Sequence, residues 1–584
     1  MAIEPILAGL NPRQLEVVLA RDHCTAYAGP GTGKTKTISA KVAYLLSSPN
    51  VRVGAVSFTR DSATTLKQRI LEITGNGVKK RLLASTINSL CFRQIGKAER
   101  DIASEGFRFI IARKICEELS LGVKADEVIR TVDMIKVKGE LAHATDEMLA
   151  IYAMYQTQME RSRKIDFQDM IKLAVEGMTA GTLSPYRLDH LLVDEYQDVD
   201  WLQYQWIRLH AKNGTNVTVV GDDDQAIYAF RHAMGFEGMK RFSSEFQAEE
   251  IVLGENYRSH TEILARADSV IRNNIDRVPK TLIAKRGGGA AIFARLYDDP
   301  YDEAFDAVTV LAKALGQGKT VSILARNNRD LDAAESSAQA LGVKYHRASG
   351  SSILKQPEGA ILCDLLELIQ GTKTNGMDQV LSYARVSEGE RQLLFSKYEG
   401  RFPALAPKVL ADMGFSSTAS QTYRDLVKNI DRWKTLVERK FYDLVLDGVV
   451  EWMVPFANKG SAVNGLESVR HVLSCLKGTF AERISYLNSP NESKSPDPDA
   501  LILSTIHSAK GLEWDCVWVV RSEEGIIPPE ASSISEERRL YYVAITRARD
   551  WLMMSSTKKN PVSRFLMETG VKQEARGEET TIEV

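Results

Sequence analysis

The feature that most constrains this chain is a glycine-rich stretch near its start, Ala-Gly-Pro-Gly-Thr-Gly-Lys-Thr at residues 28–35. It stands between an apolar run, Cys24–Ala28, and a segment of helical character that begins near Lys36. Small residues let backbone N–H groups wrap phosphates, a following lysine reaches the outer phosphates, and the next hydroxyl is placed for Mg²⁺. This order of strand, loop and helix predicts a parallel α/β domain that binds a nucleoside triphosphate.

A second motif supplies the acidic half of such a site. Asp-Glu-Tyr-Gln-Asp at residues 194–198 directly follows the apolar run Leu191–Val193. We expect Asp194 to hold the metal and Glu195 to orient or deprotonate the attacking water. The two motifs together predict hydrolysis of a nucleoside triphosphate with Mg²⁺, and Thr35 and Asp194 are the predicted metal ligands. The residues predicted to contact the nucleotide in the first motif are Ala28, Gly29, Pro30, Gly31, Thr32, Gly33, Lys34, Thr35 and Lys36. Ala28 stands where the usual pattern has glycine, and it is small enough to permit the turn.

Composition limits the class of protein. With 584 residues the chain is too long for one hydrophobic core. Its 75 basic and 76 acidic residues give a net charge of −1, so nucleic-acid binding would need a local basic channel. The six cysteines are scattered, which predicts reduced thiols and neither a structural metal nor an iron–sulfur cluster. The sequence has no apolar run long enough to cross a membrane, and we expect a cytoplasmic, nucleoid-associated protein.

The apolar pattern repeats one arrangement twice. Buried strands such as Val53–Phe58 and Val217–Val220 flank a charged, helix-period segment, and strands at Val321–Ala325 and Trp514–Val520 flank another. A Pro- and Ser-rich linker at residues 488–499 ends the second helical segment. The fold class is therefore predicted to be α/β, with two parallel-sheet layers that are each interrupted by a mostly helical insertion.

Further motifs follow in a fixed order, and together they resemble the superfamily 1 helicases of the UvrD/Rep/PcrA group over about residues 10–566. The matching stretches are residues 10–14, 57–60, 85–88, 221–231, 255–259, 504–514 and 536–548. The resemblance implies two RecA-like motor domains. The predicted division is residues 1–86 and 187–254 for the first motor domain, 87–186 for its helical insertion, 255–370 and 498–570 for the second motor domain, 371–497 for a reduced helical insertion, and 571–584 for a polar tail.

The resemblance also implies roles at the nucleotide. Gln14 would read the adenine edge and Tyr257 would stack on the base, while Gly511 and Glu513 would lie near the nucleotide. Gln225 would sense the γ-phosphate, and Arg258 and Arg547 would act as arginine fingers, since a guanidinium holds phosphate oxygens in a fixed fork. The predicted catalytic set is Lys34, Asp194, Glu195, Gln225, Arg258 and Arg547.

Contacts with a single DNA strand are implied for a further set of residues, Phe58, Thr59, Arg60, Thr86, Asn88, Tyr228, Phe230, Thr505 and His507. Aromatic side chains in such sites stack on bases. The family commonly has His where Asn88 stands and Trp where Phe230 stands. For Phe58 an ordinary core position stays open, because apolar residues at strand ends usually pack inward.

Two departures from the family bear on activity. The insertion at residues 371–497 is shorter than usual, and Met554–Pro561 leaves room only for a tight turn where relatives carry a strand-separating hairpin. We expect an ATP-dependent 3′-to-5′ translocase and helicase acting on single-stranded and tailed duplex DNA, with a possible protein partner bound through residues 371–497. Two alternatives stay open: a translocase or motor subunit without autonomous unwinding, and an ATP-gated DNA sensor that recruits a nuclease.

Overall fold

The computed structural model describes residues 7–96, 101–138, 144–350, 352, 357–371, 376–398, 402–457, 460–476, 478–488, 493, 497 and 499–575. It confirms the predicted α/β class with parallel sheets. The chain forms two compact units. The first comprises Met1–Leu264, Ile271–Gly288 and Ser533–Tyr542, and the second comprises Ala265–Val270, Gly289–Ser532 and Val543–Val584.

The first unit contains a six-stranded parallel sheet in the order β3-β2-β6-β7-β1-β8. Its strands are β1 Cys24–Ala28, β2 Val53–Val56, β3 Leu82–Ser85, β6 His190–Val193, β7 Asn216–Gly221 and β8 Glu249–Leu253. Two short parallel pairs join β4 Asp101–Ile102 to β5 Lys164–Ile165, and β9 Glu255–Asn256 to β10 Ile283–Ala284. Residues in β1 and β2 are buried throughout, as expected for a parallel sheet covered on both faces.

The early helices of the chain are α1 Pro12–Leu19, α2 Lys34–Leu46, α3 Arg60–Thr74, α4 Ile87–Ile95, α5 Glu105–Glu118, α6 Ala125–Lys138, α7 Asp146–Arg161, α8 Phe167–Thr179, α9 Trp201–Lys212, α10 Gly235–Phe246 and α11 Thr261–Ile271. Two sequence-based bounds are corrected. Helix α2 begins at Lys34 rather than near Lys36, because Gly33 in the left-handed region ends the loop. Strand β2 ends at Val56, so Phe58 lies in the turn that leads to α3.

The second unit contains a seven-stranded parallel sheet in the order β13-β14-β12-β15-β16-β11-β17. Its strands are β11 Ala291–Tyr297, β12 Val321–Ala325, β13 Tyr345–Arg347, β14 Leu501–Thr505, β15 Trp514–Val519, β16 Ala548–Thr557 and β17 Gln573–Ala575. Strand β17 lies in the predicted polar tail. It forms because its backbone pairs with β11 and the Gln573 side chain donates to Ser556 Oγ at 2.6 Å. Residues 576–584 of that tail lie outside the described residues.

The remaining helices are α12 Pro300–Gly316, α13 Asp332–Ala340, α14 Pro357–Gln370, α15 Met377–Tyr383, α16 Glu388–Tyr398, α17 Pro407–Asp412, α18 Ser417–Glu438, α19 Tyr442–Met453, α20 Gly460–Cys475, α21 Phe480–Asn488, α22 Ile534–Ile545 and α23 Arg564–Glu568. Helices α14 to α21 enclose their own core around Tyr423, Trp433 and Leu466. Most of the predicted 488–499 linker lies outside the described residues. No helix in the described part of the chain has both the length and the apolar character needed to cross a membrane.

Candidate nucleotide and DNA sites

The glycine-rich loop joins β1 to α2 at one edge of the first sheet. Gly31 and Gly33 have positive φ angles of 62° and 79°, a conformation that favours glycine, and Gly33 is the N-terminal cap of α2. No side chain caps α2, so its first backbone N–H groups are directed at the loop. Lys34 follows on the first turn, where its Nζ lies 3.4 Å from the Gly29 carbonyl. The loop therefore has the backbone geometry of an anion site at a helix N-terminus.

Residues 255–259 pack directly against this loop within the first unit. Asn256 Nδ2 donates to the Pro30 carbonyl at 2.6 Å, and the Tyr257 N–H donates to the Gly31 carbonyl at 2.9 Å. A Cβ atom added at Gly31 would lie 2.6 Å from the Cβ of Arg258, so glycine is required there for the close approach as well as for its φ angle. The structure thus brings Arg258 to the phosphate loop, although the two are separated by more than 200 residues.

Gln14 and Tyr257 meet through Asn11. The side chains of Asn11 and Gln14 form a reciprocal capping box at the start of α1, and buried Gln14 also donates from Nε2 to the Thr32 carbonyl at 2.9 Å. Asn11 Nδ2 lies 2.9 Å from the Tyr257 hydroxyl, and the Tyr257 ring remains 44% exposed. An exposed ring beside a buried amide matches the predicted adenine contacts. The role of both residues stays a prediction.

Asp194 and Glu195 follow β6 at the same edge of the sheet. Burial, and after it the charge of the adjacent Glu195 carboxylate, raises the pKa of Asp194 to about 7. The positive charge of Lys34 lowers this pKa but does not offset the increase. Glu195 has a left-handed backbone with φ of 52°, and its carboxylate accepts from Gln197 Nε2 at 2.6 Å. Buried Gln197 also accepts from the Asp222 N–H at 2.9 Å. Gln197 therefore links the predicted water-activating carboxylate to the loop that follows β7.

The loop after β7 holds three buried aspartates, Asp222, Asp223 and Asp224, whose carboxylate oxygens lie within 4.8 Å of one another. The Lys280 ammonium bonds all three and takes the place that a cation would otherwise fill, while Arg277 forms a bidentate pair with Asp224 at 2.8 Å. Burial alone would raise the pKa of Asp222, but Lys280 and then Lys34 hold it below its ordinary value. We call these five residues the loop cluster.

The loop cluster fixes Gln225, the predicted γ-phosphate sensor. Gln225 is buried, and its Nε2 donates to Asp222 Oδ2 at 2.5 Å. Three and five residues later the same loop carries the two aromatic residues predicted to stack on bases. Tyr228 is half-buried and stacks on Phe58 with ring centroids 5.4 Å apart, and Phe230 is 60% exposed with its ring 5.9 Å from that of Tyr228. Phe58 therefore lies beside these rings rather than in the sheet core.

The other predicted DNA contacts of the first unit lie at helix starts. Thr59 and Thr86 are the N-terminal caps of α3 and α4, where each hydroxyl accepts a backbone N–H, and Arg60 is exposed. Asn88 Nδ2 donates to the Phe167 carbonyl at 3.2 Å. The sequence analysis did not single out Phe167, whose ring is 42% exposed at the start of α8. The sequence signal that could have identified Phe167 is its place directly after an aspartate that caps a helix.

Four predicted residues lie in the second unit, from the end of β14 to the residue before β15. Thr505 ends β14 and its hydroxyl donates to Ser508 Oγ at 3.1 Å, and His507 is half-buried in the turn that follows. Gly511 and Glu513 are exposed and border a cavity of about 410 Å³, which Leu512 and Trp514 also line.

Arg547 is 1% exposed and is bonded within the second unit. Its guanidinium donates to the carbonyls of Val543 and Leu512 at 3.0 and 3.1 Å and to Thr546 Oγ1 at 3.1 Å. The carbonyl of Arg547 accepts from the Trp514 N–H at 3.0 Å, which joins the end of α22 to the start of β15. Its role as an arginine finger stays a prediction.

Sequence reasoning missed the residues that reach the site over long distances. Lys280 and Arg277 come from a segment more than 50 residues after the aspartates they bind, and no local pattern identifies them. Asn256 and Gln197 belong to motifs that the sequence analysis recognised. Their roles depend on the distant backbone groups that they bond, the Pro30 carbonyl and the Asp222 N–H. These four residues support the nucleotide-facing side chains and are not themselves the predicted contacts.

Comparisons with known proteins agree with this geometry. The UvrD/REP helicase N-terminal domain matches residues 10–145 and 123–247, and the UvrD-like helicase C-terminal domain matches residues 456–559. The ATP-dependent DNA helicase PcrA of Bacillus subtilis is 26% identical over 96% of this chain and 86% of its own length. The ATP-dependent DNA helicase UvrD1 of Mycobacterium leprae and the DNA helicase II of Haemophilus influenzae are each 27% identical, over 97% and 95% of this chain and 86% and 85% of their own lengths. With its two parallel sheets and its phosphate loop, the chain belongs to the UvrD-like family of superfamily 1 helicases.

Proposed function

We propose that this chain is an ATP-dependent DNA helicase that moves 3′-to-5′ along single-stranded DNA. The observation that carries the proposal is the loop from Asp222 to Phe230. Within nine residues it holds a buried amide bonded to the Asp222 carboxylate, the half-buried Tyr228 stacked on Phe58, and the exposed ring of Phe230. One rigid segment can therefore respond to the nucleotide at one end and grip a base at the other. The 3′-to-5′ direction rests on family resemblance.

The hydrolytic chemistry follows from the residues around the phosphate loop. Backbone N–H groups at the start of α2 and the Lys34 ammonium would bind the phosphates. The Thr35 hydroxyl and the Asp194 carboxylate are hard oxygen donors that fit Mg²⁺ and would hold it; when bound, it neutralises charge on the phosphates. Glu195, fixed by Gln197, would orient the attacking water. Arg258, beside Gly31, would stabilise charge on the transferred phosphoryl group.

The second candidate is a translocase or motor subunit that does not unwind duplex by itself. It rests on the short connection after β16, which ends at Thr557. Lys558–Asn560 form a turn, and Ser563 already caps α23 with its hydroxyl bonded to the Phe565 N–H. This segment is fully described and leaves no length for a projecting hairpin.

A strand-displacement assay distinguishes the two candidate functions. The purified chain would be given duplexes with a 3′ or a 5′ tail while single-strand-stimulated ATP turnover is recorded. Unwinding of the 3′-tailed substrate alone supports the proposal, and stimulated turnover without unwinding supports the second candidate. Unwinding of the 5′-tailed substrate alone would contradict the direction.

Two variants serve as controls for the site itself. Glu195→Gln keeps the size and the bond to Gln197 but removes the charge, so turnover should be lost while ATP still binds. Phe230→Ala removes an exposed ring, and single-strand affinity should fall by about 1–3 kcal/mol with ATP binding unchanged. Slow turnover combined with tight, ATP-dependent capture of a nuclease would instead favour the DNA-sensor alternative.

A further inference from the structure

A cavity in the first unit is lined in part by the loop that carries Phe230. It has a volume of about 490 Å³, within the range that small-molecule sites occupy. The end of α6, the start of α9, residues 229–234 and α10 enclose it. Its lining residues are Val137, Lys138, Trp201, Ala229, His232, Ala233, Met234 and Arg241. None of the nucleotide contacts predicted from the sequence belongs to this set.

The wall formed by residues 232–234 is fastened in place. The Met234 N–H donates to the Val199 carbonyl at 2.9 Å, and Ala233 forms an antiparallel bridge with Asp200, the cap of α9. His232 has a positive φ of 63°, which is uncommon for a residue other than glycine and is held here by these neighbours. Backbone contacts to Val199 and Asp200 therefore hold this wall of the cavity in place.

The lining has the chemistry of a nucleotide contact. Lys138 on α6 and Arg241 on α10 are exposed cations, and the described residues that line the cavity include no carboxylate. The Arg241 guanidinium lies over the Trp201 ring, 5.0 Å from its centroid, within the range of a cation–π contact. Arginine planes and aromatic rings both stack on bases, and the two cations suit phosphate oxygens. Burial first, and the Lys138 charge second, lower the pKa of His232 and favour its neutral ring.

The residues that line the cavity adjoin, in the sequence, the predicted contacts with the DNA single strand. Ala229 and His232, which line it, flank Phe230 and Arg231 on one short loop. Arg231 lies over the rings of both Tyr228 and Phe230, at 5.4 and 5.6 Å from their centroids. A strand stacked on Phe230 would therefore have its next nucleotides within reach of the cavity mouth.

We propose that this cavity binds one nucleotide of the same DNA single strand, with its base against the Arg241–Trp201 pair and its phosphate facing Lys138. The inference rests on the proposed function, because it extends the strand path beyond the aromatic pair. It assigns to Trp201, Arg241 and Lys138 a binding role that the sequence motifs do not contain.

The test compares neighbouring residues on α10. Arg241→Ala, alone and with Lys138→Ala, would be compared with Lys240→Ala, which removes an exposed cation outside the cavity whose Nζ lies 5.5 Å from the Phe236 ring. Affinity for oligothymidylates of increasing length would be measured at several salt concentrations. All three positions are exposed, so the variants should fold as the wild type does.

The cavity variants should weaken binding of long oligothymidylates by about five- to tenfold and lower the salt slope by about 0.7 for each phosphate that the variant no longer binds. Short oligothymidylates that fill only the aromatic pair should bind as before, whereas Phe230→Ala should weaken both lengths. Photo-crosslinking of an iodouracil-containing strand should label the peptide that contains Trp201.

Equal affinities and slopes for the cavity variants and Lys240→Ala at every length would overturn the inference while leaving the proposed function intact. Failure of the wild type to bind any single strand would overturn both.

Discussion

Two buried charge clusters in the first unit have the same composition and different surroundings. Each contains three aspartates, one lysine and one arginine. The loop cluster consists of Asp222, Asp223, Asp224, Lys280 and Arg277, and the insertion cluster consists of Asp133, Asp166, Asp169, Lys136 and Arg108. In both, the lysine side chain is at most 1% exposed and bonds more than one carboxylate. Neither lysine could be buried without these partners, because an unpaired buried charge is strongly destabilising.

The two clusters differ in what they hold. In the loop cluster Asp222 bonds Gln225, and the Asp222 N–H bonds Gln197, which holds Glu195. In the insertion cluster Asp166 caps α8 and so presents Phe167 beside Asn88. The same local chemistry thus supports the predicted nucleotide site in one place and an exposed ring beside Asn88, a predicted DNA contact, in the other. We infer that the two clusters act through the side chains that they position, Gln225 in one and Phe167 in the other.

The largest effect is expected for Lys280→Met. It leaves three carboxylates buried together, which should lower the free energy of unfolding by about 3–5 kcal/mol. Loss of the bond to Asp222 should also displace Gln225, and misplacement by about 1 Å can reduce turnover by about 100-fold. Denaturant unfolding and ATP turnover of the folded protein measure the two effects. Normal turnover in a folded Lys280→Met protein would contradict the link between this cluster and the site.

Lys136→Met tests the other side of the comparison. Two carboxylates lose their ammonium partner while Arg108 remains, so the free energy of unfolding should fall by about 3 kcal/mol. ATP turnover without DNA should stay at the wild-type level, because the cluster does not contact the nucleotide side. Single-strand affinity should weaken through displacement of Phe167. Reduced DNA-free turnover in the folded protein would show that the two clusters are not functionally separate.

Arg277→Gln is a milder change to the loop cluster. Its guanidinium forms the bidentate pair with Asp224, and its side chain is 15% exposed. Loss of these charged hydrogen bonds should cost about 2–3 kcal/mol of unfolding free energy, and turnover should fall by less than in Lys280→Met. Because Lys280 still binds Asp222, Gln225 should keep its position. A loss of turnover as large as that of Lys280→Met would contradict the expectation that Lys280 alone keeps Gln225 in position.

His210 is a buried titratable residue whose hydrogen bonds, unlike the ion pairs of the two charge clusters, join it to backbone groups. It is fully buried on α9, where its Nδ1 meets the Trp206 carbonyl at 2.8 Å and its Nε2 accepts from the Tyr186 N–H at 3.0 Å. Burial lowers the pKa of His210 from 6.5 to about 4, although the hydrogen bond to the Trp206 carbonyl favours the protonated ring. A lowered folded pKa means that its stabilisation is present above pH 6.5 and is lost as the pH falls towards 4.

We expect the free energy of unfolding to fall by about 2 kcal/mol between pH 7 and pH 5 through this one residue. Unfolding of the wild type and of His210→Gln at both pH values measures the contribution, and the variant should show a smaller fall. Equal falls in the two proteins would assign the pH dependence to other groups.

Much of the fold follows from local pattern. The strands at Cys24–Ala28 and Val321–Ala325 have in the structure the bounds that the sequence predicts, because continuous apolar runs next to turns specify buried parallel strands. The start of α2 and the end of β2 differ from the prediction by two residues, since a left-handed glycine and an exposed turn decide them. Strand β17 is not predicted because a three-residue segment, two of whose residues are polar, forms an edge strand only when β11 is there to pair with it.

The phosphate loop, the Asp194–Glu195 pair and the aromatic loop can be recognised from short runs of residues, because their chemistry and backbone needs are local. Long-range packing, by contrast, brings Asn256 and Arg258 to Gly31, buries Lys280 among three aspartates, and places Trp201 and Arg241 in one cavity with Lys138. These contacts join residues separated by tens to hundreds of positions. They depend on strand order and helix packing, which no local pattern specifies.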